Sequence, residues 1–262
     1  LFRILIRGAN DVGSAVAHVL FTAGYSVILH DTSQPTTTRR RMSFTDAIFD
    51  GRAVLEEVTA ELADDDLLLP QILAEHKIIP VSVNDFFKLI EILHPHILVD
   101  ARMRKHHQPE SQRGLAPLTI GLGPNFIAGE TVDLAIETGW GESLGRIIQR
   151  GATTPLSGEP REIEGHARDR YVYAPVGGIF HTKYQIGDGV EKDEEVARID
   201  LFPLLAPISG MLRGLTRDGA PVSPKTKVVE IDPRIEGAQV SGIGERPARI
   251  AQGVLEAIKM NE

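Results

Sequence analysis

Gly8-Ala9-Asn10-Asp11-Val12-Gly13 lies between the apolar run Phe2-Arg3-Ile4-Leu5-Ile6 and a stretch of helical periodicity, Ser14 to Ala23. Val16, Val19 and Leu20 share one face of that predicted helix. Gly24 ends it, as glycine tolerates the left-handed conformation of a helix terminus. Tyr25 to Leu29 then reads as a second buried strand running into Asp31. Strand, glycine turn, helix, strand and acid is the order of a dinucleotide-binding βαβ unit. In that reading the N–H groups of the turn and the helix N-terminus hold a pyrophosphate, and Asp31 accepts hydrogen bonds from ribose hydroxyls. Asn10 occupies the place of the middle glycine of G-x-G-x-x-G, where the backbone approaches the phosphates most closely. It tolerates positive φ but fills space that a dinucleotide would use.

Working outward, alternating strands and helices continue to about residue 165, with strands expected at Ile78–Val81 and Ile97–Asp100 and a helix over Asp85–Leu93. Such alternation builds a mostly parallel sheet, with ligands at the carboxyl ends of its strands. Arg39-Arg40-Arg41 follows the second strand and offers either an anion site or a solvated basic turn. Ala53 to Glu61 reads as a strand, and Asp64-Asp65-Asp66 as the cap of a following helix. Two glycine-rich loops leave apolar strands: Gly121-Leu122-Gly123-Pro124, and Glu137-Thr138-Gly139-Trp140-Gly141-Glu142. Their backbone N–H groups suit anions or carbonyls, and Glu137 is the candidate catalytic acid. His94-Pro95-His96 and His106-His107 lack the spacing of a tetrahedral metal set, so no metal is expected.

With 262 residues the chain is long enough for more than one core. Its formal net charge of -8 argues against non-specific nucleic-acid binding. The absence of cysteine removes disulfides, thiolate metal sites and cysteine nucleophiles. No apolar run approaches the ~20 residues of a membrane span, and no signal peptide is evident, so a cytoplasmic location is expected. Leu1 is not a start methionine, so the natural N-terminus is expected upstream.

From about residue 166 the pattern becomes short β runs separated by glycine, proline and aspartate, repeating with a period of 32 residues. Ala174-Pro175 recurs as Ala206-Pro207, Gly178 as Gly210, Gly187 as Gly219, Val190 as Val222, Val196 as Val228, and Ile199-Asp200 as Ile231-Asp232. Two copies of one β unit are expected to pack about a pseudo-twofold as a small sandwich. Over roughly 172–233 this resembles the barrel-sandwich hybrid of lipoyl and biotinyl carrier domains. The joining segment Asp200-Leu201-Phe202-Pro203-Leu204-Leu205 lacks the lysine that such carriers modify, which excludes a swinging arm. The expected organisation is a Rossmann-like α/β domain over 1–165, a β-sandwich over 166–236, and a C-terminal helix over 237–262 that returns to the first domain.

The whole chain resembles the selenium-dependent molybdenum hydroxylase accessory proteins, the YqeB group. The resemblance rests on Arg7-Gly8 with Asp11, Arg39-Arg40 to Ser43-Phe44, Ile120-Gly121-Leu122-Gly123-Pro124, Glu137-Thr138, Leu144-Gly145-Arg146, Ile231-Asp232-Pro233 and Gly253-Val254-Leu255-Glu256-Ala257. It implies maturation of a molybdenum hydroxylase of xanthine dehydrogenase type, with the hydroxylase apoenzyme as partner and a possible homo-oligomer. The implied ligand is a phosphorylated cofactor or oxyanion, with a nucleotide such as NAD or a molybdopterin-type group as candidate. Arg7, Gly8, Asn10, Asp11, Gly13, Asp31, Arg39, Arg40, Gly121 and Gly123 would bind it. The chain departs from the family pattern at Asn10 and at Trp140-Gly141-Glu142, where an Arg-Gly-His type segment is expected. An accessory role is expected rather than catalysis; the competing readings are an NAD-dependent oxidoreductase and a structural adaptor with a vestigial nucleotide site.

Overall fold

The computed structural model describes residues 2–63, 65–104, 108–155 and 160–262. The chain forms two compact units: Leu1–Ser33, Ser43–Ser157 and Ile243–Glu262 make the first, Gln34–Met42 and Gly158–Gly242 the second. The C-terminal helix therefore belongs to the first unit, and the arginine segment after the second strand belongs to the other.

The first unit opens with β1 (Arg3–Arg7), α1 (Asp11–Thr22) and β2 (Ser26–His30), in the order the turn implied. After α2 (Ala47–Asp50) come β3 (Arg52–Leu55), β4 (Val58–Leu62), α3 (Leu69–Glu75), β5 (Ile79–Ser82), α4 (Phe86–Leu93) and β6 (Ile97–Asp100). Then follow β7 (Leu118–Leu122), β8 (Ile127–Ala128), β9 (Leu134–Ile136), β10 (Ile147–Ile148) and β11 (Gly151–Ala152). Nine of these strands form one sheet in the order β10-β9-β7-β6-β1-β2-β5-β4-β3, and β8 pairs with β11 apart from it. Side chains alternate across the sheet as strand geometry demands. Ile4, Ile6, Val27, Leu29 and Val99 face one side with α1 and the C-terminal residues Ile250, Val254 and Ile258. Leu5, Ile28 and Leu98 face the other with Leu69, Leu73, Phe86, Leu89 and Leu93 from α3 and α4.

The second unit contains β12 (Tyr171–Tyr173), β13 (Gly178–His181), β14 (Gly189–Val190), β15 (Glu195–Ile199), β16 (Phe202–Leu205), β17 (Gly210–Leu215), β18 (Pro221–Val222) and β19 (Lys227–Asp232). They make two four-stranded sheets, β12-β19-β17-β14 and β16-β15-β13-β18. One apolar core, including Phe180, Val196, Ile199, Leu212, Val228 and Ile231, lies within this unit. The chain then ends in α5 (Glu245–Lys259).

The fold expected from the sequence, a Rossmann-like domain plus a lipoyl/biotinyl-like barrel-sandwich hybrid, requires correction. The large sheet is mixed: β3 runs antiparallel to β4, and β10 antiparallel to β9. The single strand expected over Ala53–Glu61 is a hairpin, because the chain reverses at Glu56, which adopts a positive φ of 52°. A two-residue connection can only join antiparallel strands. The β unit is also not one continuous segment, since residues 34–42 fold with it.

Candidate functional site

Close packing, not ligand access, dictates the glycines of the first turn. A Cβ at Gly8, whose φ is 111°, would lie 2.9 Å from the Ala101 carbonyl oxygen, and one at Gly13 would lie 1.9 Å from that of Gly8. Asn10 is the N-cap of α1: its side-chain oxygen accepts from Val12 N at 3.0 Å and Gly13 N at 3.2 Å. Its amide nitrogen donates to Ala101 O at 2.8 Å. Asp31 accepts from Ala9 N at 2.7 Å and Thr32 N at 2.8 Å. Gly8 N donates to His30 O at 2.7 Å. Asp11 sits in the first helical turn, where a negative charge suits the helix dipole. The N–H groups of Gly8, Ala9, Val12 and Gly13 thus bond to the chain itself, and Asp31 is turned into the glycine turn.

A different constellation occupies the carboxyl edge of the sheet. Arg7 ends β1 and stands in register with Asp100, which ends β6. Asp100 is buried and receives Arg102 Nε at 3.0 Å and Arg104 at 3.5 Å. Glu110 spans three guanidinium groups: Arg7 at 3.2 Å, Arg102 at 2.7 Å, and Arg104 in a shorter contact. Gln112 accepts from Arg7 at 2.9 Å. The Arg7 guanidinium lies 3.6 Å from the centre of the Phe86 ring, and its buried Nε finds no hydrogen-bond partner among the described residues. Burial and the neighbouring Arg102 lower the Arg7 pKa to about 10, against the pull of Asp100 and Glu110. Burial acts to raise the Glu110 pKa, but hydrogen bonds from Arg102 and Arg104 outweigh it and hold the carboxyl well below its ordinary range.

Glu137 is buried, with one oxygen accepting from Thr138 N and Gly139 N, both at 2.8 Å, and the other from Thr154 N at 2.7 Å. Burial would raise its pKa; these bonds from Thr154 and Gly139 reverse the effect and lower it. The carboxylate ties two loop segments together. Gly121 makes room for Phe126, whose Cγ would lie 2.4 Å from an added Cβ, and Gly123 takes a φ of 102° beside Met103. Trp140 is exposed.

Arg39 and Arg40 belong to the second unit. Arg39 grips Glu230 through Nε at 3.0 Å and a terminal nitrogen at 2.8 Å. Arg170 at 3.1 Å, Lys227 at 2.9 Å and Arg213 at 3.7 Å converge on the same carboxylate. Arg40 Nε donates to Leu215 O at 2.9 Å. Sequence reasoning missed Arg102, Arg104, Glu110 and Gln112; the alternation of Asp100, Arg102 and Arg104 after a buried strand was the available signal. Of the histidines, His94 caps α4 in the left-handed conformation and His96 accepts from Arg3 N at 3.1 Å. His106 and His107, like Asp64, lie outside the described residues. Among the described residues no group of three or more His, Cys, Asp or Glu side chains is placed to hold a metal ion, and no helix is long and apolar enough to cross a membrane.

These features define an α/β unit with an arginine–carboxylate cluster at its sheet edge, accompanied by a two-sheet β unit. The chain is similar to the uncharacterized protein YqeB of Escherichia coli (strain K12), with 38% identity over 257 residues. That match takes in 98% of this chain and 47% of the relative, so the chain spans about half the length of the curated protein it matches. The similarity supports the YqeB group resemblance, and the relative's name states no activity. No family model matches the chain. Similar solved structures include the apo form of the ectoine utilization protein EutE (DoeB) from Ruegeria pomeroyi, at 10% identity and a TM-score of 0.26, covering 88% of this chain and 86% of that one. A succinylglutamate desuccinylase from Silicibacter sp. TM1040 matches at 14% identity and a TM-score of 0.25, covering 88% and 84% of the two chains.

The expected role in maturing a molybdenum hydroxylase, with its molybdenum-cofactor, selenium and xanthine dehydrogenase associations, is corrected: the match to YqeB supports the group and not that role. At these TM-scores the likeness transfers no activity to this chain.

Proposed function

We propose that the first unit binds an anionic small molecule, a phosphate ester or a carboxylate, at the carboxyl edge of its sheet. The observation that carries this is the Glu110 carboxylate held by Arg7, Arg102 and Arg104. A carboxylate spanning three guanidinium groups occupies the position an external oxyanion would take, since the planar fork of arginine matches both. The place is also where open α/β sheets receive ligands, at the strand ends where successive connections diverge. Two carboxylates, Asp100 and Glu110, face three arginines, so a doubly charged anion such as a phosphate group that displaces the half-exposed Glu110 leaves the cluster closer to neutral. Phosphorylated nucleotides such as NAD and ATP are the first class to test, beside inorganic phosphate.

Thermal-shift and calorimetric titrations with these three ligands test the reading, because a ligand that binds only the folded state raises its stability. Glu110→Gln removes the internal competitor and is expected to tighten binding by about tenfold, while Arg7→Met weakens it by a similar factor. If neither the parent chain nor Glu110→Gln responds to any of the three, the site does not bind anions.

A further inference from the structure

Four cations of the second unit converge on Glu230, and its carboxylate has hydrogen bonds for three of them. Glu230 has no solvent exposure. Its Oε1 accepts from Arg39 at 2.8 Å and from Arg170 at 3.1 Å. Its Oε2 accepts from Arg39 Nε at 3.0 Å and from Lys227 at 2.9 Å. A carboxylate offers about four acceptor sites, so these bonds fill it. The fourth cation, Arg213, stands 3.7 Å from the same Oε1, outside hydrogen-bond distance.

Arg213 is a surplus cation in a confined place. Its side chain is only 13% exposed. Its Nε is buried without a partner, and its guanidinium makes no hydrogen bond among the described residues. Asp232, the other carboxylate that attracts it, is engaged at both oxygens by Arg234, at 2.8 and 2.6 Å. Burial lowers the Arg213 pKa and Arg39 lowers it further, against the attraction of Glu230 and Asp232. A guanidinium stays protonated in such a place and carries five donors. Keeping it mostly buried without acceptors is unfavourable, so the fold alone gives no reason for an arginine at this position.

An external oxyanion supplies the reason. Glu230 neutralises one of the four charges gathered on it. A phosphate group brings close to two negative charges and three strong acceptor oxygens near neutral pH, and the planar fork of arginine matches its geometry. The Arg39 side chain keeps 20% of its surface exposed beside Arg213, so both reach solvent while Glu230 does not. We propose that Arg213 and Arg39 bind a phosphate group on the solvent side of the Glu230 cluster. All of these residues belong to the second unit, so this anion site is independent of the one proposed for the first.

Arg7→Met, which weakens the first-unit site, is the background for the test. Inorganic phosphate and ribose 5-phosphate are titrated separately into this 15N-labelled chain at constant ionic strength. Amide shifts around Arg39 and Arg213 are expected, and the tighter of the two ligands names the source of the group. Adding Arg213→Met, which retains an apolar stem, is expected to weaken that response about tenfold. A second readout separates binding from a purely structural role. In phosphate-free buffer Arg213→Met alone is expected to melt at or above the temperature of the parent chain, because it removes an unsatisfied cation. No response to either ligand at millimolar concentration, shifts confined to the surroundings of Arg102 and Glu110, or shifts that survive Arg213→Met each overturn the proposal. A melting temperature of Arg213→Met below that of the parent without phosphate overturns it as well.

Discussion

A methyl group on Gly13 has no room: its carbon would sit 1.9 Å from the Gly8 carbonyl oxygen, with the Ala101 side chain 3.3 Å away. Gly13→Ala must therefore separate α1 from the β1 turn, and a loss of about 2–3 kcal/mol is expected. Urea denaturation followed by the fluorescence of Trp140, the single tryptophan, reads this unit; an unchanged midpoint would mean the turn is not packed in this way. The same residues show what the sequence made legible. Strand, turn, helix and strand were readable from periodicity and glycine placement, because neighbours in sequence determine them. The use of the turn was not. Asn10 and Asp31 each spend their side chains on backbone N–H groups, and a motif written as spacing does not say whether its donors point at a ligand or at the chain.

At the scale of elements, α5 owes its position to small residues. A Cβ at Gly253 would lie 2.1 Å from the Gly145 carbonyl oxygen, so the helix backbone lies directly against the loop after β9. Its apolar side, Ile250, Val254 and Ile258, joins the core that α1 also covers. Ile250 has no solvent exposure, and Ile250→Ala is expected to cost about 2–5 kcal/mol in the same denaturation experiment. The apolar spacing within 245–260 made this helix readable in the sequence. The arginines at 39–41 were read by adjacency to the second strand. Their partners are Glu230, 191 residues away, and Leu215, 175 residues away, and single-sequence patterns carry no signal for pairings at that range. The Arg102, Arg104 and Glu110 cluster was overlooked because the residues after Asp100 read as merely polar; Arg102 and Arg104 both pair with the buried Asp100.

For the molecule as a whole, the buried carboxylate of Glu230 makes stability depend on pH. Burial acts to raise its pKa, but Arg39 and Lys227 outweigh that and hold it well below the ordinary value. A folded-state value below the unfolded one, about 4.3, contributes stability that is complete above that pH. The contribution fades as pH falls from there toward the folded value. Acid titration followed by near-UV tyrosine signals should show the second unit losing structure in that window, since Tyr171, Tyr173 and Tyr184 all lie in it. Glu230→Gln leaves Arg39, Arg170, Arg213 and Lys227 without their shared counter-charge. A loss of about 3–5 kcal/mol at neutral pH is expected, together with a flatter acid profile. An acid profile identical to that of the parent chain would show that Glu230 does not set it.

The 32-residue repeat was visible in the sequence because both copies keep the same turn glycines and core valines, and the strand registers bear a consequence for origin. If the copies are taken as 170–201 and 202–233, each four-stranded sheet draws two strands from each. Neither copy encloses a core, and a segment of that length is too small to fold alone. A gene encoding one copy could have been maintained only as an intertwined pair of chains, so the unit reads as a homodimer fused by duplication. Fusion freed the copies to diverge. Glu230 and Arg198 stand at equivalent positions of the two copies and carry opposite charges.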